Sequence, residues 1–180
     1  MLQRGGGLLS HAWWLLLLAL VGSCRPEAGS KLNGAGRSPS APAADTVSAG
    51  EREAVLAELR SYYRDFSARD WSAYAAHFWP GATLSTIWTP PGEAQPHVMV
   101  TTVPEFVRQA PLGPGSQPIF RERMLGADVR VQHNLAHVWA HYEVQFGTPD
   151  SLAVWRGIDA FTLMAHGGRW RIVALAYTDE

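Results

Sequence analysis

The chain has 180 residues, 47% of them hydrophobic, with a formal net charge of −1, which suits one globular domain with appendages. Removing the first 23 residues takes away a single charged side chain, Arg4, and leaves a net charge of about −2, which gives no electrostatic footprint for nucleic acid. The one cysteine, Cys24, excludes an intrachain disulfide and a cysteine-built zinc site.

In chain order, Arg4 precedes the apolar run Ala12–Val21. Roughly ten apolar residues fit the hydrophobic region of a signal peptide, whereas a membrane-spanning helix needs about 20. The run ends in Val21-Gly22-Ser23-Cys24, which resembles a bacterial lipobox. That resemblance implies cleavage of residues 1–23 and lipidation of Cys24, giving an anchored lipoprotein facing the periplasm. Ordinary signal peptidase cleavage, giving a soluble secreted chain, is the alternative. Residues 24–47 hold one large apolar side chain, Leu32, among Gly, Ser, Pro and Ala. Such a stretch buries too little surface to offset its ordering entropy and is expected to be a flexible linker.

The domain is expected over residues 48–180. Ser48 and Glu51 have capping-box spacing, and Val55, Leu59, Tyr62 and Phe66 recur at helical intervals. Asp70 can cap a second helix bearing Trp71, Tyr74 and Phe78, stopped by Trp79-Pro80-Gly81. A strand over residues 82–88 and a turn at Thr89-Pro90-Pro91-Gly92 come next. Thr102 and Glu105 then open a short helix around Phe106 and Val107, and residues 111–118 read as a loop. From Ile119 the apolar period is two, with turns at His133-Asn134, Thr148-Pro149-Asp150 and Gly167-Gly168. Helices followed by antiparallel strands predict an α+β domain with helices on one face of a curved sheet.

The stretch from Tyr62 to Leu84, with the turn Ala68-Arg69-Asp70 and the run Gly81-Ala82-Thr83-Leu84, and the hairpin from Gly157 to Val173 resemble the nuclear transport factor 2-like superfamily, in the branch of the SnoaL-like cyclases and ketosteroid isomerases. The resemblance implies a cone whose helix-covered mouth opens into an apolar pocket, and a homodimer formed through the outer face of the sheet. Set against the isomerase, Tyr62 falls on the tyrosine position. The proton-carrying carboxylate falls on Thr86, a side chain that cannot act as that base near neutral pH, and Asp159 lies a few positions from the second acid. The resemblance therefore carries the fold and not the isomerase reaction.

His133, His137 and His141 are spaced by four, but on a strand that spacing separates them by roughly 13 Å, too far for one metal ion with ligands at about 2 Å. No metal or other cofactor is expected, since no nucleotide fingerprint or phosphate-binding glycine loop has the required context either. His137, Trp139, His141, Glu143 and Gln145 instead form an outward face, and Trp139 among polar groups suits a dimer contact.

Asp159 shares the parity of Trp155 and Leu163, and a carboxylate on an apolar face must be paired, solvated in a pocket or protonated. A hairpin symmetric about Pro149-Asp150 is expected to set it opposite His141 as an acid–base dyad, whereas a one-residue bulge would bring Tyr142 there. Tyr62, Thr86, Trp88, Trp155, Asp159 and Tyr177 are the expected pocket lining, and Asp159, His141 and Tyr62 the candidate catalytic groups. Three functions remain open: binding of a small hydrophobic molecule or protein partner without turnover, cofactor-independent acid–base catalysis (isomerase, cyclase or dehydratase), and a homodimeric interaction domain. Catalysis requires Asp159 in a cavity beside a second titratable group. The interaction domain requires a filled interior beside an exposed Trp139.

Overall fold

The computed structural model describes residues 49–89 and 93–180. The signal segment, Cys24, the linker, Ser48 of the first capping box and the Pro90-Pro91-Gly92 turn lie outside the described residues. Helix α1 (Ala49–Ala68) buries Val55, Leu59, Tyr62, Tyr63 and Phe66, the stripe predicted from the three-and-four spacing with Tyr63 added. Arg69 leaves the helix in the left-handed region at φ 57°, and the Asp70 carboxylate accepts the Ala73 N–H at 3.0 Å, capping α2 (Trp71–Ala76).

The second helix is shorter than expected. Phe78 opens strand β1 (Phe78–Trp88) and pairs with Ile172. The ladder is irregular between Phe78 and Thr83, so Pro80, which lacks an N–H, and Gly81, at φ 84°, fall where pairing is interrupted. His77 at the junction is held by the middle and the C-terminal part of α1, with Nδ1 2.8 Å from Glu58 and Nε2 2.9 Å from Asp65.

Strand β2 (His97–Thr102) leads into α3 (Val103–Gln109) and a single 3-10 turn at Ala110–Leu112. Thr102 is the N-cap residue, but its side chain makes no capping bond, so the predicted box marks the helix start without its hydrogen bond. Pro104 sits in the first turn, where the missing N–H costs nothing. Long strands β3 (Ile119–Gln132), β4 (Leu135–Thr148), β5 (Ser151–His166) and β6 (Arg169–Asp179) complete a six-stranded open sheet ordered β2-β1-β6-β5-β4-β3. Every neighbouring pair is antiparallel except β1–β6, which is parallel. The fold is α+β as predicted, with two helices before the first strand and the third between β2 and β3.

Tyr62 lies at the centre of the core, its ring centroid 5.3–5.9 Å from those of Phe66, Tyr74, Phe78 and Phe161. Burial of such side chains contributes about 1.5–3 kcal/mol each, and edge-to-face contacts add to it. Helix α1 packs chiefly on β3. Arg52 reaches the carbonyls of Val129 and Ala127, while Ser67 Oγ accepts the Glu122 N–H at 2.8 Å and donates to the Glu122 carbonyl at 2.7 Å. These bonds occupy backbone groups on an edge strand that would otherwise be free to pair.

Candidate functional site

Between the helices and the concave face of the sheet is a cavity of about 360 Å³, within the range of small-molecule pockets. Tyr62, Phe66 and Tyr74 line it from α1 and α2, and Phe106, Gly113 and Pro114 from α3 and the following turn. The sheet adds Leu84, Trp88, Phe120, Glu122, Tyr142, Val144, Phe146, Trp155, Asp159, Leu175, Tyr177 and Asp179. Trp88 is half-exposed and Asp179 exposed, which sets them at the mouth, while Asp159 is 3% exposed.

Of the six predicted lining residues, Tyr62, Trp88, Trp155, Asp159 and Tyr177 are on the wall. Thr86, half-buried on β1 between Leu84 and Trp88, is not. The predicted His141–Asp159 dyad is absent. Thr148 pairs with Ser151 across Pro149-Asp150, and this symmetric register sets Asp159 opposite Ala140, so neither His141 nor Tyr142 faces it. The expectation was off by one residue, and one residue on a strand is a change of face. His141 lies exposed on the outer surface with His137 and Trp139.

The partner of Asp159 is Tyr63, adjacent to the residue expected. Its hydroxyl donates to Asp159 Oδ2 at 2.5 Å, a short charge-assisted geometry. Tyr63 is itself 3% exposed and off the cavity wall, so it fixes the carboxyl from behind. Burial pushes the Asp159 carboxyl up to about 7, against the pull of the Tyr63 hydrogen bond and with the Asp179 charge adding to the rise. Burial likewise holds Tyr63 and Tyr62 far above the usual phenol range, with Asp159 contributing to both. Neither phenol can ionise near neutral pH, so neither serves as a base for Asp159.

Two further carboxylates share the site. Glu122 on β3 is raised well above the usual carboxylate range by its withdrawal from water and by the charges of Asp159 and Asp179. Asp179 accepts from the Tyr142 hydroxyl at 2.8 Å. Tyr142 can reach it because its register partner is Gly157. A Cβ there would collide with the Tyr142 hydroxyl and the Thr178 carbonyl. Tyr177, pushed up to about 12 by burial and the nearby acids, completes a wall that is acidic and phenolic.

Glu122 and Asp179 escaped the sequence reading because β-bulges change the phase of two strands. In β3 the register shifts between Met124 and Gly126, so Phe120 and Glu122 face inward although Val129 and Val131 have the opposite parity. In β6 a shift between the partners of Thr162 and Leu163 turns Leu175, Tyr177 and Asp179 inward after Ile172. On the outer face, Glu143 is clamped by Arg123 at 2.8 Å and Arg156 at 3.3 Å. Those contacts hold its carboxyl below the usual range.

The open sheet, the helices covering one face and the cavity between them define a nuclear transport factor 2-like fold. Three solved structures bear this out. An NTF2-like protein of unknown function from Shewanella baltica matches with TM-score 0.54 and 16% identity over 76% of this chain and 98% of that one. A provisionally named scytalone dehydratase from Novosphingobium aromaticivorans gives 0.57 and 12%, over 73% and 85%. A provisionally named dehydratase of the NTF2-like family from Streptomyces avermitilis gives 0.58 and 11%, over 73% and 96%. No protein-family model matches the sequence, and neither does any curated protein.

Proposed function

We propose that the domain binds a small, largely apolar molecule inside the cone, with the ligand's polar end against Asp159. The observation that supports this reading most is the ring-lined cavity of about 360 Å³ with a buried carboxyl on its wall. An interaction domain with a vestigial interior would have that space filled by its own side chains. The test is a crystal structure of protein purified without stripping bound molecules. Electron density beside Asp159 is expected, and an interior closed by Trp155 and Tyr177 would refute the reading.

A second reading is favoured by one feature: Asp159 exchanges its proton near neutral pH, in a cavity and on a carboxyl oriented by Tyr63. Cofactor-independent turnover, such as a dehydration or isomerisation, would use it as the single proton donor and acceptor. Recovery of the bound molecule chemically unchanged after incubation would exclude turnover of that molecule. The sequence reading supplies the cellular setting of this proposal, export and attachment by lipid on Cys24, and fatty-acid labelling lost in Cys24→Ala checks it.

A further inference from the structure

The charges on the wall of this cavity have one sign. Glu122, Asp159 and Asp179 converge on it from β3, β5 and β6, together with four phenols, Tyr62 from α1, Tyr74 from α2, Tyr142 from β4 and Tyr177 from β6. Among the described residues no lysine, arginine or histidine lines it, and Arg123 and Arg156 are spent on Glu143 outside. Asp159 has one donor, Tyr63, and Asp179 one, Tyr142. The Glu122 carboxylate accepts no hydrogen bond from any described residue, since its recorded bonds are those of its backbone to Ser67. Drawing Asp159 and Glu122 away from water with Asp179 at the mouth and no counterion among the described residues is costly as it stands.

A second feature is independent of the acids. The Tyr74 hydroxyl, on a side chain that is 0% exposed and lines the same cavity, makes no well-formed hydrogen bond to any described residue; the Tyr62 hydroxyl approaches it without hydrogen-bond alignment. A buried hydroxyl left unpaired costs about 1–3 kcal/mol, and a partner atom supplied from the cavity would remove that cost. Its oxygen can accept an N–H. Rings of Phe66, Phe106, Phe120 and Trp155 surround the same space, and ring faces attract cations.

We infer that the ligand of this pocket is an organic cation, an aromatic or otherwise apolar amine in its ammonium form, seated with its nitrogen among Glu122, Asp159 and the Tyr74 hydroxyl. The inference rests on the small-molecule reading and names its chemical class. The ammonium supplies the missing counterion, gives Tyr74 a donor and lays its apolar body against the rings. A neutral ligand of equal size would leave the acids uncompensated, and an anion would add to their repulsion. Because burial raises Asp159 to about 7 and raises Glu122 as well in the empty pocket, a cation seated there draws both toward the ionised form and releases protons to solvent.

Calorimetric titration of the protein at pH 7 with phenethylamine, 2-phenylethanol and 3-phenylpropanoate separates the outcomes. The amine is expected to bind about tenfold more tightly than the alcohol. Its binding heat should change with the ionisation enthalpy of the buffer, as proton release requires, and the preference should fall toward parity in Glu122→Gln. Binding of the alcohol or the carboxylate as tightly as the amine overturns the cation inference and leaves the small-molecule reading standing. Failure of all three to bind overturns both.

Discussion

Replacing Asp159 with asparagine should make the protein more stable as pH rises. The wild-type carboxyl is held at about 7 in the native state, against about 3.9 for an aspartate in the unfolded chain. Its folded value is raised, so the native state favours the protonated acid. The cost of ionisation is absent well below pH 4, grows as the unfolded chain loses its proton, and is complete once pH passes the folded value. At 1.36 kcal/mol per unit this cost is about 1.5 kcal/mol at pH 5 and about 4 kcal/mol at pH 8.5. Asparagine carries no charge at either pH and still offers an oxygen to the Tyr63 hydroxyl. The stability of Asp159→Asn relative to wild type should therefore rise by about 2.5 kcal/mol between pH 5 and pH 8.5. Urea unfolding followed by tryptophan fluorescence measures it; groups that do not sense Asp159 cancel in the comparison, and Glu122, which does, is relieved of the Asp159 charge and shifts the difference in the same direction. A difference that stays flat across this range, or runs the other way, would refute the assignment of Asp159 as a desolvated acid. A stabilised variant that has lost ligand would show that stability is given up here for binding.

Gly157→Ala should cost at least about 2 kcal/mol, because the added methyl collides with Tyr142 and with the Thr178 backbone. Gly126→Ala, whose Cβ meets nothing within 4 Å, is the control, and equal losses in thermal unfolding would refute the close approach. At His77, burial lowers proton affinity, but the hydrogen bonds and charges of Glu58 and Asp65 outweigh it and the net shift is upward. A raised histidine stabilises most fully below its unfolded value, about 6.5. That contribution is lost as pH climbs through the higher folded value, so His77→Gln should be destabilising at pH 6 and less so at pH 9 in the same urea assay. Trp139, 53% exposed on the outer face with Val154 and Met164 also exposed, would be covered in the proposed homodimer. Sedimentation should then show a dimer in wild type and a shift toward monomer in Trp139→Glu.

Much of the architecture was legible because burial imposes period on sequence. The stripe Val55, Leu59, Tyr62 and Phe66 was read correctly, and the outward face assigned to His137, Trp139 and His141 leaves Val138, Ala140, Tyr142 and Val144 buried on the opposite parity, as the structure has it. Strand β2 was missed for the complementary reason. Val98 and Val100 are 71% and 63% exposed, so the strand has no core face to impose alternation, and its hydrogen bonds to β1 leave no mark on composition. Asp159 was found because a carboxylate stood on an apolar parity. Its partner was not, since Tyr62 and Tyr63 are both buried on α1 and a helical stripe wide enough to bury two neighbours does not reveal which one meets the sheet. The His141 dyad failed on a single register step in a hairpin whose turn had been located correctly.

The bulge in β3 bears on more than the shape of the strand. The segment Arg121-Glu122-Arg123 alternates in charge, and the unpaired step at Leu125 decides which sign faces inward. Were the ladder to continue from Gly126 without that step, Arg123 would take the place opposite Val144 that Glu122 now holds. Two guanidinium groups would then replace one carboxylate in the cavity, with no change in composition. The polarity of this interior is thus written in the phase of a strand. The gain or loss of one residue near that bulge is enough to reverse the sign of the charge that β3 brings to the cavity, while Asp159 and Asp179 stay in place.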